Sequence, residues 1–342
     1  MTHPKITNKT VLVTGGVGSI GSELVKKLLE LQPKQIRIFD NNELGLFAAM
    51  RQYSGENRIR FLLGDVRDKD RVYWALKGVD TVFHAAALKH VALNEYSPFE
   101  SVKTNVLGTQ NLLEAALSHQ VTTFINISTD KAANPTSTMG ASKLLAERLT
   151  VGATYYQGGQ TTVFASVRFG NVLNSSGSVV PIFLDQIKTG GPITVTDKNM
   201  VRYFMTIPDA VALILKAAAI ARGGEVFILK MPALKIIDLA QVMIDSLAKK
   251  PLKIKLTGKN YGEKLYEKIV TRTEASQALE LKNMYVLPLA INCPTLAENI
   301  IKKSFTYYQK LGGRPVPENG VEPTKLLTKT EIKNLLLKAG II

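Results

Sequence analysis

Cysteine is almost missing from this sequence: Cys293 is the only one in 342 residues. No intramolecular disulfide can form, which suits a reducing compartment. With no partner motif around it, Cys293 reads as a small apolar residue and not as a nucleophile. Long hydrophobic runs are missing too. "AVALILKAAAIA" is too short and interrupted to span a bilayer, and "MTHPKITNKT" lacks the apolar core of a signal peptide. A cytoplasmic protein without membrane insertion is expected. Acidic charge is in deficit, with 28 Asp and Glu against 43 Lys and Arg and a net charge of +15. The basic residues are scattered, without the aromatic interleaving of single-strand binders, so nucleic acid is not expected as a partner. A phosphate-bearing small substrate would use a basic cleft more economically. No metal site is read in the sequence, and there is no short-period repeat.

What the first half does have is an alternation of β-branched runs with helical patterns. "TVLVTG" reads as a buried strand and "IGSELVKKLLELQ" as a helix with apolar residues at helical spacing. "QIRIFD", "RIRFLLGD" and "DTVFHAAA" are the next three strands. A long helix is expected over 99–118, a strand at "TTFINIS", a helix over 139–156 and a strand at "TTVFASVRFG". This succession predicts an α/β, Rossmann-like, doubly wound parallel sheet with helices on both faces. Beyond Asn171 the elements shorten: "NVLNSSGSVVPIF" is a loop entering a helix, "PITVTD" a short strand, and 208–221 a helix. "LTKTEIKNLLLKAG" closes the chain, with Thr328 and Glu331 at capping-box spacing. The expected organisation is a dinucleotide-binding domain over 1–170 and a smaller C-terminal substrate-binding lobe over 171–342, with some segments returning to the main sheet.

"TGGVGSIG" lies between the first strand and the first helix, with Gly15, Gly18 and Gly21 in G-x-x-G-x-x-G spacing. The first glycine permits a tight turn, the second lets backbone approach a pyrophosphate, and the third lets the helix pack closely on the sheet. With Ser19 and Ile20 at the helix start, free N–H groups would meet the diphosphate. Asp40 ends the second strand 19 residues after Gly21, where a carboxylate hydrogen-bonds adenosine ribose and repels a 2′-phosphate. NAD is therefore favoured over NADP. Asp40 could also cap the helix that follows. Asn41 stands beside it, and Asp65 and Val66 in "GDVRD" could reach the adenine. Ala85, Ala86 and Ala87 let backbone pass close to the cofactor, and Asn105 on the long helix completes the candidate contacts.

Several further stretches run in a fixed order: "TGGVGSIGSEL", "GDVRD", "AAALKHV", "STDKAANP…MGASK", "RFGNVLNSSGSVVPIF", "VRYFM" and "GEKLYE". In this combination the chain resembles the UDP-N-acetylglucosamine 4,6-dehydratases of the extended short-chain dehydrogenases, over some three quarters of its length. Many members carry N-terminal membrane helices, and this chain looks like the short soluble form. Short-chain dehydrogenases nearly always have tyrosine four residues before the active-site lysine. Here that position is Met139, ahead of Lys143, and members with methionine there occur in the family.

The resemblance implies oxidation of the 4-hydroxyl of UDP-N-acetylglucosamine, elimination of water across C5 and C6, and reduction at C6 by the stored hydride. It assigns Asp130 and Lys131 as acid and base. Free lysine titrates near ~10.4 and aspartate near ~3.9, the wrong states for those roles at neutral pH. Both are expected to shift toward neutrality through burial, the lysine also through the charges of NAD and Lys143, and to point apart. Lys143 would hold the nicotinamide ribose, and Thr129 could bond the 4-hydroxyl. That proton could leave through Asp130, through Thr129 and water, or through the ribose–Lys143 relay. Met139 fills apolar space. Lys89 and His90 could meet the sugar or diphosphate, His90 equally serving as a structural hydrogen bond; His84 reads as structural. Asn171 and the helix start at Ser178 and Val179 suit a phosphate or uracil, and Arg202, Glu263 and Lys264 the uridine diphosphate end. Inversion at C5, release of the 5,6-ene, a 4-epimerase and a non-catalytic NAD-binding scaffold are the alternatives. The family's assemblies imply a homo-oligomer, formed through the helices over 99–118 and 139–156.

Overall fold

The computed structural model describes residues 6–159, 161–290, 298–319, 321 and 325–342, so Cys293 lies outside the described residues. Six strands open the chain: β1 (Thr10–Thr14), β2 (Gln35–Asp40), β3 (Ile59–Leu63), β4 (Thr81–His84), β5 (Thr123–Thr129) and β6 (Val163–Phe169). They run parallel in the order 3-2-1-4-5-6. Helices cover both faces, so β1 and β4 are buried along their whole length and read as continuous apolar runs without alternation. The chain changes direction across the sheet between β3 and β4. A crevice therefore opens at the carboxyl ends of β1 and β4, where such sheets take ligands.

Beyond residue 170 come β7 (Asn171–Val172), β8 (Ile193–Val195), β9 (Val201–Met205), β10 (Glu225–Leu229), β11 (Ala233–Lys235), β12 (Ile254–Leu256), β13 (Leu279–Glu280), β14 (Met284–Leu287) and β15 (Arg314–Pro315). β10 joins β6 in parallel, and β14, β13 and β15 extend that edge antiparallel, so the main sheet has ten strands. β11, β9 and β7 form a separate small sheet, and β8 pairs with β12. A distinct buried cluster including Leu173, Phe183, Phe204, Leu239 and Leu336 packs these smaller pieces. The closing helix Lys329–Lys338 starts with the expected capping box between Thr328 and Glu331.

Two helical details depart from expectation. The stretch read as one regular helix over 99–118 is Pro98–Ser101, a wider π-helical turn at Val102–Leu107, and Gly108–Ser118. The π turn brings buried Asn105 against Leu88 and Ser142, two elements a regular helix would meet at different registers. Helix Glu43–Gln52 is capped by Asn42, whose side chain accepts from the Gly45 N–H, and not by Asp40. Asp40 instead accepts from Val17 N–H at 3.1 Å and Asn42 N–H at 3.0 Å. It ties the glycine turn to the end of β2.

Helix Thr138–Tyr156 lies over β5 and β6 and buries polar as well as apolar side chains, Lys143 and Glu147 among them. Among the described residues no helix is long and apolar enough to cross a membrane. None of the described His, Cys, Asp or Glu side chains form a cluster that could hold a metal ion.

Candidate active site

A cleft of ≈ 620 Å³ opens at the crevice between β1 and β4. Its floor is the glycine turn. Gly15 has φ of +65°, and a Cβ there would stand 2.6 Å from Ala86 N, while a Cβ on Gly21 would stand 2.1 Å from Gly15 O. Neither position tolerates a side chain. Helix Ser19–Glu30 begins at Gly18 with no side-chain cap and no acidic residue in its first turn. Its leading N–H groups stay available for an anion. Ser19, Ile20, Asp40, Asn41, Asp65, Val66, Ala85, Ala86 and Ala87 line the same cleft. This set fits a dinucleotide: backbone donors for phosphate, a carboxylate at the end of β2 for ribose, and small residues beneath.

The far end of the cleft holds Thr129, Lys131, Met139, Lys143 and Asn171, with Lys89, His90 and Ser178 also on its wall. β5 ends at Thr129 and turns into a short 3₁₀ segment, Asp130–Ala132. Asp130 is fully buried, and its Oδ1 accepts from Thr129 Oγ1 and from Lys131 Nζ, both at 3.0 Å. Acid and base were expected to point apart; they form an ion pair instead. A carboxylate with no access to water takes the nearest cation, and the tight turn puts its neighbour within reach. Asp130 Oδ2 makes no hydrogen bond to the described residues and lies where a Cβ on Gly170 would come within 3.0 Å of it. Lys131 Nζ also donates to Asn171 Oδ1 at 3.1 Å. Lys143 donates to the Ile127 carbonyl at 2.6 Å, and burial lowers its pKa to about 8 against an opposing push from Glu147. Met139 is buried one turn before it on the same helix.

His84 hydrogen-bonds Thr14 Oγ1 through Nδ1 and Thr109 Oγ1 through Nε2, at 2.7 and 3.0 Å. Burial, and then the charge of Lys143, push its pKa down to about 3. It is a neutral strut joining β4 to β1. Partial burial lowers the Lys89 ammonium.

The profile of the polysaccharide biosynthesis protein family matches residues 11–289. The chain belongs to that family. It is 55% identical over 286 residues to a protein of Methanocaldococcus jannaschii described as an uncharacterised membrane protein, covering 82% of this chain and 86% of that one. It is 39% identical over 285 residues to the inverting UDP-N-acetylglucosamine 4,6-dehydratase of Campylobacter jejuni, covering 83% and 84%. A UDP-glucose 4-epimerase of Rickettsia canadensis is also 39% identical, over 286 residues, covering 82% and 83%. The chain spans only 46% of the capsular polysaccharide biosynthesis protein CapD of Staphylococcus aureus, at 44% identity over 279 residues and 79% of this chain. Among solved structures, Pen from Bacillus thuringiensis superposes with a TM-score of 0.89 at 39% identity, covering 98% and 99% of the two chains. The resemblance read from the motifs, to the extended short-chain dehydrogenase dehydratases, stands with these relatives.

Six of the candidate catalytic and binding residues expected from the sequence do not line the cleft. Asp130 reaches it only through Thr129 and Lys131. Asn105 stands behind the wall, bonding the Leu88 N–H and carbonyl and Ser142. Val179 follows Ser178 into the helix Val179–Lys188. Arg202, in β9, is buried with its guanidinium donating to the carbonyls of Val201, Lys264 and Leu265 and pairing with Glu263. Lys264 donates to the Ala133 carbonyl and pairs with Glu267. Arg202 and Lys264 thus fasten the "GEKL" loop against the Asp130–Ala133 turn.

Ser175, Ser176 and Gly177, which are not among the residues expected from the sequence, also line the cleft. Ser176 N–H donates to Ser19 Oγ at 3.1 Å, and Gly177, at φ +67°, presses so closely on the His90 ring that a Cβ would sit 2.3 Å from it. The glycine in "NSSGS" was the available signal.

Proposed function

We propose that this chain is a nucleotide-sugar dehydratase that converts UDP-N-acetylglucosamine to a UDP-4-keto-6-deoxy sugar, keeping NAD bound through the cycle. The observation that carries it is the acid–base pair at the end of β5: Asp130 buried, Lys131 on the cleft wall, and Thr129 bonded between Asp130 and the cleft. A simple 4-epimerase has no use for an eliminating pair. The relatives named as dehydratase and as epimerase are equally similar, and this pair is what supports the dehydratase reading over the other.

The glycine turn, Asp40 and Lys143 would hold NAD; the engaged carboxylate of Asp40 favours it over NADP. When bound, NAD supplies the reversible two-electron oxidation of the sugar at C4. Thr129 takes the proton of the 4-hydroxyl while passing its own along its bond to Asp130 Oδ1. Met139 cannot do this, and Lys143, bonded to the Ile127 carbonyl, keeps donors for the nicotinamide ribose. Protonated Asp130 then has a proton for the departing C6 hydroxyl, returned through Thr129, by which it reaches the cleft. With Asp130 neutral, Lys131 would release one ammonium proton to water at the cleft wall, and the resulting amine would take the C5 proton. Lys89, His90, Asn171 and Ser178 would meet the sugar and diphosphate, and Arg202, Glu263 and Lys264 would shape that end from behind. Residues 171–342 supply most of this substrate side. Exposed Phe99, Leu107, Leu145 and Tyr156 support a homo-oligomer formed through the helices over 98–118 and 138–156.

The test is incubation of purified protein with UDP-N-acetylglucosamine without added reductant, followed by proton NMR of the product. A C6 methyl doublet with gluco couplings is expected. Altered ring couplings would mean inversion at C5, and vinyl protons would mean release of the 5,6-ene. A product with an intact 6-hydroxyl would sink the dehydratase reading in favour of epimerisation.

A further inference from the structure

We infer that Glu95 is a positioning residue that sets the start of the helix carrying Met139 and Lys143. This rests on the proposed function only for the effect on turnover. Glu95 lies on the short helix Val91–Tyr96, which follows directly on Lys89 and His90. Its Oε1 accepts from the Thr138 N–H at 2.6 Å and its Oε2 from Thr138 Oγ1 at 3.1 Å. Thr138 is the first residue of helix Thr138–Tyr156, whose own first turn holds no acidic side chain. A carboxylate from 43 residues upstream therefore adds two acceptors to this helix start, beside the Ser137 side chain that accepts from the Gly140 N–H.

The contact joins two walls of the cleft. On one side, Asn94 is buried and donates through Nδ2 to the His90 carbonyl at 2.5 Å, while its Oδ1 accepts from Ser101. Glu95 is thus fixed to the segment bearing Lys89 and His90. On the other side, Gly140 presses on the Lys131 carbonyl so closely that a Cβ would come within 2.5 Å. The helix start is clamped between Glu95 and the Asp130–Ala132 turn. Asn105 makes a deeper tie between the same elements, from Leu88 to Ser142. Glu95 makes the outer one, nearest the helix end. Without it, the first turn is held from this side only by Asn105 through Ser142, and a shift on Lys131 would carry Met139 and Lys143 with it.

The experiment uses the full chain stripped of nucleotide, titrated with NADH and followed by its fluorescence. Glu95→Gln keeps both bonds without the charge, because an amide oxygen accepts the N–H and its NH₂ can donate to the hydroxyl. Glu95→Asp keeps the charge without the reach. We expect Glu95→Ala and Glu95→Asp to weaken NADH binding about tenfold and Glu95→Gln to stay within about twofold of wild type. With UDP-N-acetylglucosamine, kcat of the first two variants should fall about tenfold while KM stays within about twofold. Wild-type affinity in Glu95→Asp or Glu95→Ala would overturn the inference, as would Glu95→Gln binding as weakly as Glu95→Ala. If the wild type does not convert the sugar, the dehydratase reading fails, and the NADH titration still judges Glu95.

Discussion

Helix Thr138–Tyr156 carries Glu147 into one cluster of buried charge and Lys143 toward another. In the first, Arg168 of β6 donates through Nε and Nη2 to both oxygens of Glu147, at 3.0 and 2.7 Å, and reaches Glu274 at 3.1 and 2.9 Å. Burial works against its charge, and the two carboxylates override it and raise the pKa. Glu274 is also half of the capping box that starts helix Arg272–Ala275. Every carboxylate oxygen of this cluster has a partner. In the second cluster, Asp130 keeps one oxygen without a hydrogen bond, Lys143 is held by a single carbonyl, and Lys131 looks into the cleft. Both clusters are buried on the same sheet. The complete one fixes geometry, because every alternative state leaves a bare charge. The incomplete one leaves protons somewhere to go.

Deleting one cation from each cluster should have opposite consequences. Lys131→Ala should lower turnover of UDP-N-acetylglucosamine by about 10³-fold, at the middle of the range for a lost general base, while NADH titration remains that of wild type. Full turnover by this variant would refute the assigned base. Arg168→Met should do the opposite. It strands Glu147 and Glu274 in the interior and should cost about 3–5 kcal/mol of stability, read as the urea midpoint. A variant that unfolds near the wild-type midpoint would show that the Arg168 cluster is no more structural than its neighbour.

Those two roles were not equally legible in the sequence. The six parallel strands and the glycine turn could be read because buried strands announce themselves as apolar runs and tight turns as glycines. Lys131 became a candidate only through the family resemblance that "TDK" carries, since a lone Asp–Lys pair after a strand end looks like any solvated turn. The pairing of Asp130 with Lys131 could not, since it depends on a 3₁₀ turn and on the absence of water around one carboxylate. Arg168, Glu147 and Glu274 gave no signal at all, being brought together across 21 and 106 residues of sequence. Arg202 and Lys264 stand behind the cleft wall, not on it, for a related reason. Basic residues in a short motif suggest an anionic ligand, and only the fold reveals that backbone carbonyls have already claimed them. The π turn at Val102–Leu107 was hidden because its apolar spacing still passes for a helix.

The smallest expected effect separates the clusters most finely, because it concerns Lys143 alone. Its pKa falls from the ordinary 10.5 to about 8 on folding, chiefly through burial. Below pH 8 the ammonium is present in both folded and unfolded chains, and folding carries the whole desolvation cost, about 3 kcal/mol. Between pH 8 and 10.5 the unfolded chain still binds a proton that the native protein has released, so this residue makes stability rise with pH; above 10.5 its contribution is gone. Lys143→Met removes the charge but also the bond to the Ile127 carbonyl, worth about 1 kcal/mol. In nucleotide-free protein the variant should therefore be more stable than wild type at pH 7 by about 1–2 kcal/mol, with the gap closing toward pH 10.5. NADH binding by the wild type should weaken above pH 8 as the ammonium is lost. Urea denaturation of both proteins across pH 7–10.5 checks it. A variant less stable than wild type at pH 7 would mean that Lys143, like Arg168, is there to hold the fold.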